Sequence, residues 1–363
     1  MIELKDLGNY ESIPQIANDI IAGNVAALDK HFEQGWDIED KIALCEYSEE
    51  TPLYLALLME SFGSVKWLVK HGVNLNDNEN PSFVVAVRYC NEDIIRYLVN
   101  CGADVNKVND VGIEAFGATL WGEKFDNLSL IHELGHSVQR YGGAAFRHEA
   151  SEITRKAFPK VLEFFVSHGV DINFNKSDDV FSFNETPLCA AARYSDLSMC
   201  KYLVEQGADV AVGCSDGMRP YSIAVELGKS EMANYFKSLE PVEIHDMENK
   251  LLELKSYRLP KPLVEFLQSD NLHFDFTHNE HYSGDIPFIE FFSLIDVVPI
   301  KVGKHKLLRI SKETGDYEHI HILWNPKDRC VSYYDISHGQ LGNIAPFDAF
   351  ASDMAECVQI IPV

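Results

Sequence analysis

Hydrophobic positions in the first two thirds of the chain fall into short helical stretches that share one pattern. Residues 66–76 read Lys-Trp-Leu-Val-Lys-His-Gly-Val-Asn-Leu-Asn, and similar stretches occupy residues 96–106 and 201–210. In each stretch an aromatic residue followed by Leu-Val supplies an apolar face, and a glycine comes shortly afterwards. The pattern predicts an amphipathic helix that ends before that glycine.

The helix-ending glycine recurs about every 33 residues. The series comprises Gly35, Gly72, Gly102, Gly135, Gly169 and Gly207. A second signature precedes several of these glycines, namely Thr-Pro-Leu at residues 51–53 and 186–188 and Asn-Pro at residues 80–81. Threonine as a cap with proline in the first turn predicts a helix start, so each unit is expected to hold two helices. A fixed period of this length indicates stacked repeats.

The period and the signature Thr-Pro-Leu-His-x-Ala resemble the ankyrin repeat family, with Tyr54, Phe83 and Cys189 in the histidine position. The resemblance implies an α-helical solenoid of about seven repeats within residues 10–240, with degenerate repeats at both ends. The fourth repeat departs from the signature because Glu114 and Ala115 stand where Thr-Pro is expected. We assign residues 1–240 to this array.

Two insertions interrupt the period, near residues 138–158 and 174–184. Insertions in repeat arrays map to one face, so both segments are candidates for partner contacts. In the second, Phe174, Phe181 and Phe183 stand beside Asp178 and Asp179. These phenylalanines could form an apolar anchor with an acidic rim, or they could pack back on neighbouring repeats. The second interpretation is favoured, and both stay open.

An ankyrin array presents turn tips and inner helices as a concave surface, so protein binding is the expected function. We expect no catalytic residue, no cofactor and no metal ligand. Alignment to the repeat gives these candidate partner-binding residues: Glu50, Tyr54, Asn78, Asn80, Phe83, Asp110, Asp178, Asp179, Phe181, Phe183, Asn184 and Asp216.

Residues 132–136 read His-Glu-Leu-Gly-His, which matches the His-Glu-x-x-His motif of zinc peptidases. On one helix the two imidazoles would bind zinc and Glu133 would act as the general base. Gly135, however, falls on the periodic helix-ending position. The helix is therefore expected to end near Leu134, and His136 is expected to leave the shared face. A zinc peptidase is the less favoured alternative.

The repeat stops after Pro241, and residues 241–363 show a different alternation. A helix is expected to start near Leu259, followed by an apolar strand or short helix at residues 289–298. Three strands are expected at residues 306–311, 319–324 and 330–335, and a closing helix at residues 344–350. This order predicts a small α+β domain.

The order of parts in this domain resembles the SMI1/KNR4 superfamily, also called SUKH. The resemblance rests on Leu-Pro at residues 259–260, Phe-Leu at 266–267, the strand pair at 315–324, the Val-Ser-Tyr-Tyr strand at 331–334 and the closing segment at 344–350. The Asn-Gly of that family after the first helix is absent, since residues 269–271 read Ser-Asp-Asn. The resemblance implies an immunity function, because many bacterial members bind and block toxins, often nucleases. Ankyrin repeats also occur as immunity modules.

Five histidines of the C-terminal domain raise the question of a metal site. His273, His278 and His281 are close in sequence, and His319 and His321 alternate onto one face of a strand. A metal site is geometrically possible there. Surface or hydrogen-bonding roles are favoured, because no helical spacing or carboxylate pattern accompanies these histidines.

Charge narrows the class of partner. The 363 residues hold 31 Lys and Arg against 56 Asp and Glu, a formal net charge of −25. Such a surface disfavours nucleic acid, whose binders gain affinity from cations, and it attracts a basic protein. The leading hypothesis is a non-enzymatic immunity protein that binds a basic, nuclease-type toxin domain. The alternative is an ankyrin scaffold or regulatory protein with a SMI1/KNR4 signalling domain.

Cysteine usage and hydropathy bear on location. The eight cysteines are scattered without any Cys-x-x-Cys, and no apolar run approaches 18 residues. We therefore expect a cytoplasmic protein with no membrane span. The sequence leaves open the identity of the partner, the domain that supplies the affinity and the oligomeric state.

Overall fold

The computed structural model describes residues 13–45, 48–152, 158–279, 282–315, 317 and 319–362. These residues divide into two compact units. The first unit contains residues 13–149 and 158–171, and the second contains residues 150–152 and 172–362. The boundary at residue 240, drawn from the repeat pattern, stays a proposal.

The first unit consists of helix pairs. Its helices are α1 Gln15–Ala22, α2 Val25–Glu33, α3 Pro52–Leu58, α4 Phe62–Lys70, α5 Ser82–Tyr89, α6 Glu92–Asn100, α7 Ala115–Trp121, α8 Asn127–Glu133, α9 Val138–Ser151, which ends in the second unit, and α10 Phe158–Ser167. A hairpin of β1 (Ile42–Cys45) and β2 (Ser48–Glu50) precedes α3.

The second unit begins with two more helix pairs. Their helices are α11 Pro187–Tyr194, α12 Leu197–Glu205, α13 Pro220–Glu226 and α14 Ser230–Leu239. The described residues before residue 240 therefore contain seven helix pairs, which agrees with the expected seven repeats. Further helices of this unit are α15 Met247–Leu254, α16 Lys261–Leu267, α17 Phe347–Ser352 and α18 Met354–Val358.

The glycine series ends the helices as predicted. The second helix of each of the six pairs up to α12 ends two residues before a glycine of the series. All six glycines have a positive φ, between 75° and 103°. This left-handed conformation is accessible to glycine without the steric penalty of a Cβ atom, so the helix stops at that position.

Helix starts follow the caps, with one correction. Thr51 and Thr186 cap α3 and α11, their hydroxyls accepting the N–H groups of Tyr54 and Cys189. In α5, however, Pro81 occupies the cap position that the sequence interpretation gave to Asn80. This shift of one residue moves Phe83 from the histidine position to the buried leucine position of the signature.

The fourth repeat is regular although it lacks Thr-Pro. The Glu114 carboxylate accepts the N–H groups of Phe116 and Gly117, both at 2.7 Å, and so caps α7 as a threonine would. The expected insertion near residues 138–158 is mostly helix, since α9 fills residues 138–151. Residues 153–157 of that insertion lie outside the described residues.

The C-terminal part of the second unit is α+β. Its described strands are β3 His273–Asp275, β4 Phe288–Phe291, β5 Val298–Val302, β6 His305–Arg309, β7 Ser311–Glu313, β8 Ile320–Asn325, β9 Cys330–Asp335 and β10 Gln340–Ala345. One antiparallel sheet has the order β10-β9-β8-β6-β5, and a smaller one has the order β3-β4-β7. The α+β class is confirmed, with more strands than expected. The segment at 344–345 closes β10 rather than opening a helix.

Two hydrogen bonds within this unit join helices α13 and α15 to the residues just before β5. Tyr221 Oη donates to Asp296 Oδ1 at 2.9 Å, and Lys250 Nζ donates to the Val297 carbonyl oxygen at 2.9 Å. The sheet core is apolar, and the buried Trp324 anchors it by donating from Nε1 to the carbonyl oxygen of Tyr257 at 2.9 Å.

Candidate functional site

A groove of about 720 Å³ in the second unit lies between the last two helix pairs and the sheets. One wall comes from the loop before α11 and from the C-terminal ends of α11 and α13. The other wall comes from β4, β6, β7 and the start of β8. Its volume is within the range of ligand-binding pockets in proteins. We call it the repeat–sheet groove.

A three-residue ion pair fixes the floor of the repeat–sheet groove. Glu226 Oε2 accepts from Arg193 Nη1 at 3.1 Å, and Glu226 Oε1 pairs with Arg309 Nη2 at 2.6 Å. All three side chains are largely buried. Two cations on one buried carboxylate hold the last two repeats and β6 together, because separating them would leave charges desolvated and unpaired.

The groove is acidic overall. Five carboxylate side chains and three Lys or Arg side chains line it. Lys312 Nζ pairs with Glu290 Oε1 at 2.6 Å. Burial raises the pKa of Glu185 and of Asp216, since a carboxylate loses hydration in the groove. A cation that enters the groove would stabilise the ionised carboxylates and so offset part of the hydration that they lose.

His321 contributes an imidazole to the groove wall. Its exposed fraction is 8%. Burial, assisted by the positive charge of Arg309, lowers its pKa well below the usual value, so the ring is neutral at pH 7. Within the described residues the structure records no hydrogen bond to this ring. A neutral imidazole carries one donor and one acceptor, and both are open to a ligand.

Apolar side chains stand exposed along the same groove. Val180, Tyr194 and Leu227 line it with exposed fractions of 64%, 53% and 41%. Large apolar side chains grouped at the rim of a polar groove are typical of protein interaction sites. The repeat–sheet groove therefore combines apolar contact area with negative charge.

The candidate partner-binding residues predicted from the sequence are divided between the two units. Phe183 and Asp216 line the repeat–sheet groove. Asp179 is exposed nearby, and Asn184 is half-buried with a φ of 55°. Asp178 accepts the N–H groups of Val180 and Phe181 and so shapes the loop at residues 178–181.

Two of the chosen aromatic residues require correction. Phe83 is fully buried, because it takes the leucine position of its repeat. Phe181 is also buried, and its ring packs edge-on to Tyr194 with the centroids 6.1 Å apart. Of the two interpretations of the phenylalanine segment, packing on a neighbouring repeat holds for Phe181. Neither side chain is available to a partner.

The remaining chosen residues belong to the first unit. Asn78 and Asp110 are exposed and adjacent, the Asp110 N–H donating to the Asn78 carbonyl oxygen at 2.9 Å. Glu50, Tyr54 and Asn80 are half-buried. Burial raises the pKa of the Glu50 carboxyl and of the Tyr54 hydroxyl. These tips stay proposed contacts and do not join the repeat–sheet groove.

The sequence did not identify several residues of the groove, namely Arg193, Tyr194, Glu226, Leu227 and Arg309. It placed His321 on a strand but did not predict a partner-binding role for it. A signal exists for four of them. Arg193 and Glu226 are each the seventh residue after a helix cap, and Tyr194 and Leu227 are each the eighth. Aligning helix starts rather than helix ends brings these equivalent positions together. Nothing in the local sequence marks Arg309.

The His-Glu-x-x-His segment is dispersed by its glycine. As expected, α8 ends before Leu134, and Gly135 has a φ of 102°. His136 Nε2 lies 2.8 Å from Glu114 Oε2, whereas the Glu133 carboxylate accepts two hydrogen bonds from Arg96. His132 packs edge-on to His168 instead. The side chains of this segment therefore contact residues of the repeats and do not converge on one metal site.

Of the described C-terminal histidines discussed above, His319 and His321 both line the repeat–sheet groove, whereas His273 and His278 do not. His273 packs on Phe288, His278 is exposed, and His319 packs edge-on to Tyr317. His281 lies outside the described residues. Over the described part of the chain, no group of three or more His, Cys, Asp or Glu side chains is arranged to hold a metal ion. No helix among the described residues is both long and apolar enough to cross a bilayer.

Comparison with protein families identifies the repeats. The chain matches the family described as Ankyrin repeats (3 copies) over residues 17–109 and 148–246, more than half of its length. The chain belongs to the ankyrin-repeat family. Members of this class are scaffolds for protein interaction, and the chain is accordingly a helical repeat protein of the binding class.

Similar proteins share the repeats at low identity. Alpha-latrocrustotoxin-Lt1a of Latrodectus tredecimguttatus is 26% identical over 226 residues, 55% of this chain. The ankyrin repeat proteins FPV230 and FPV022 of Fowlpox virus (strain NVSL) are 26% identical over 186 residues and 37% identical over 103 residues, 48% and 28% of this chain. The chain spans 15% of the latrocrustotoxin, 93% of FPV230 and 16% of FPV022.

A solved structure also matches. The human ASB11 ankyrin repeat domain aligns with a TM-score of 0.47 and 14% identity. The alignment covers 63% of this chain and 98% of that domain.

Proposed function

We propose that the chain is an immunity-type protein that binds a basic, nuclease-type toxin domain in the cytoplasm and blocks it without catalysis. The observation that carries the proposal is the repeat–sheet groove, where exposed apolar side chains lie among five carboxylates. A nuclease must contact phosphates and so presents cations. An acidic protein that covers those cations gains both association rate and occlusion.

Support for the C-terminal assignment is architectural. Helix, antiparallel strands and helix follow one another in the order on which the resemblance to the SMI1/KNR4 superfamily rests. We assign residues 241–363 to a domain of that kind. In this proposal both the repeats and the sheets contribute to binding, because both supply walls of the groove.

A second candidate is an ankyrin scaffold or regulatory protein whose SMI1/KNR4-like domain acts in signalling. The exposed residues Asn78 and Asp110 of the first unit favour it, because they are candidate contacts that do not line the groove. In that case the chain would bind a partner that has no toxic activity.

Co-expression with the product of the adjacent gene tests the proposal. We expect a stable complex that dissociates as salt rises, together with protection of the host cell from the toxicity of that product. A scaffold would form a complex without any protection. Absence of both the complex and the protection would contradict the immunity function.

A further inference from the structure

The repeat–sheet groove has a side-chain chemistry that specifies its occupant. Acidic groups alone would not define a site. Here a second feature accompanies them, since the His321 imidazole is more than nine-tenths buried, lines the groove and has no recorded hydrogen-bond partner among the described residues. A ligand in the groove that hydrogen-bonds to this imidazole would therefore gain affinity.

The three cations of the groove all lie close to its carboxylates. Arg193 and Arg309 both bind Glu226, and Lys312 binds Glu290. Glu185, Asp216 and Glu313 are the other carboxylates of the groove, and with five carboxylates against three cations its net charge is negative. The raised pKa of Glu185 and of Asp216 reports the cost of holding negative charge in that place. A ligand cation near them would reduce this cost, whereas an anion would increase it.

The rim sets a further requirement on the occupant. Val180, Tyr194 and Leu227 offer apolar contact next to the carboxylates. A small inorganic cation would leave this apolar area exposed. An extended peptide places successive side chains on alternate sides, so basic and apolar side chains can meet the two kinds of surface at once.

We propose that the repeat–sheet groove binds an extended segment of a partner protein in which lysine or arginine alternates with apolar residues. The basic side chains meet Glu185 and Asp216, the apolar side chains pack on Tyr194 and Leu227, and a backbone group of the segment hydrogen-bonds to the His321 imidazole. This inference rests on the proposed function and names the part of the partner that the chain recognises.

The probe is a fluorescein-labelled decapeptide of alternating lysine and leucine, with an alternating glutamate and leucine peptide as its charge-reversed control. Fluorescence anisotropy measures the affinity for the full chain at physiological salt. We expect the basic peptide to bind and the acidic peptide not to bind. Failure of the basic peptide to bind overturns the inference. It leaves the proposed function intact if the adjacent gene product still forms its complex.

Matched variants separate groove binding from general attraction to a protein of charge −25. The double variant Glu185→Gln, Asp216→Asn should weaken peptide binding at least about tenfold, which corresponds to about 1.4 kcal/mol. The control Glu265→Gln, Asp270→Asn removes the same charge from exposed positions outside the groove and should change affinity less than about twofold. Equal weakening by both double variants would overturn the inference.

Two single variants guard against loss of folding. Leu227 is exposed at the rim, so Leu227→Ser should leave the melting temperature unchanged and weaken peptide binding at least about threefold. His321→Leu removes a buried imidazole that has no recorded partner, so it should not lower stability although it weakens peptide binding. Unchanged peptide affinity in both folded variants would contradict the proposed site.

Discussion

Glu226 is the residue that holds the groove floor in place. Its carboxylate is shared by Arg193 and Arg309, one from the neighbouring repeat and one from β6. A buried ion pair adds little net stability relative to apolar residues. Removal of one partner, in contrast, is strongly destabilising because the other charges remain buried. Glu226 therefore fixes the position of the groove walls more than it adds to stability.

The variant Glu226→Gln tests this role. We expect a loss of about 3 kcal/mol in the free energy of unfolding, because two buried guanidinium groups lose their counter-charge. Urea denaturation measures it. The control Glu265→Gln breaks an exposed pair with Lys261 and should cost less than about 1 kcal/mol. Equal small effects would show that the floor ion pair is dispensable.

His321 predicts a pH dependence of stability at the same scale. Its pKa in the folded chain lies well below the usual 6.5, so only the unfolded chain takes up the proton near that pH. The contribution of the neutral ring is therefore present above pH 6.5, and stability falls as pH decreases below that value, by at most about 1.4 kcal/mol per pH unit. Burial raises the pKa of Glu185 and Asp216, which gives the opposite slope at lower pH.

Comparison with His321→Leu isolates the histidine contribution, because both carboxylates are retained in both proteins. Urea denaturation at pH 7.5 and pH 5.5 should show that the wild type loses more free energy of unfolding between the two pH values than the variant does. The same pH sensitivity in both proteins would mean that the His321 imidazole is not held neutral.

At the scale of single elements, the boundaries of the repeat helices followed from local chemistry. The glycine series located the ends of six helices because a positive φ is a backbone requirement that the sequence displays directly. The starts of the helices were harder to locate from the sequence. Pro81 itself occupies the cap position of α5, and this register places Phe83 in the core.

Other elements could not be read from the sequence. Helix α9 lies between Gly135 and Gly169 without a Thr-Pro start, so the repeat pattern predicts an insertion at this place. Strands β3 and β7 have three residues each, too few for an alternation to be seen. The repeat–sheet groove joins residues as far apart as 180 and 336, a proximity that arises from packing alone.

The threonine cap of α11 gives a prediction for an element. Thr186 is buried and its hydroxyl accepts from the Cys189 N–H at 3.1 Å. Thr186→Ala should lower the free energy of unfolding by about 1 kcal/mol, because the helix loses one hydrogen-bonded end group. Thr186→Ser retains the hydroxyl and should recover most of that loss in the same denaturation assay. No difference between the two variants would exclude a capping role.

At the scale of the whole molecule, charge dominates the expected behaviour. A net charge of −25 creates a field that speeds the encounter with a basic partner and that salt screens. In the proposed function, this long-range attraction acts together with recognition by the acidic groove. The repeats and the sheets each supply walls of this groove.

Association kinetics should show this field. Raising ionic strength from about 50 to about 500 mM should slow association with a basic partner at least about tenfold and change the dissociation rate much less. Surface plasmon resonance with the product of the adjacent gene resolves the two rates. An association rate insensitive to salt would contradict electrostatic steering.

Hydrogen exchange of the full chain, alone and in complex with the product of the adjacent gene, tests most directly the claim that the chain acts by docking a protein in the repeat–sheet groove. The account predicts slower exchange on binding at residues 180–194, 226–228 and 311–315, which carry the walls of the groove. Protection confined to the helix pairs of the first unit, with these segments unchanged, would contradict it.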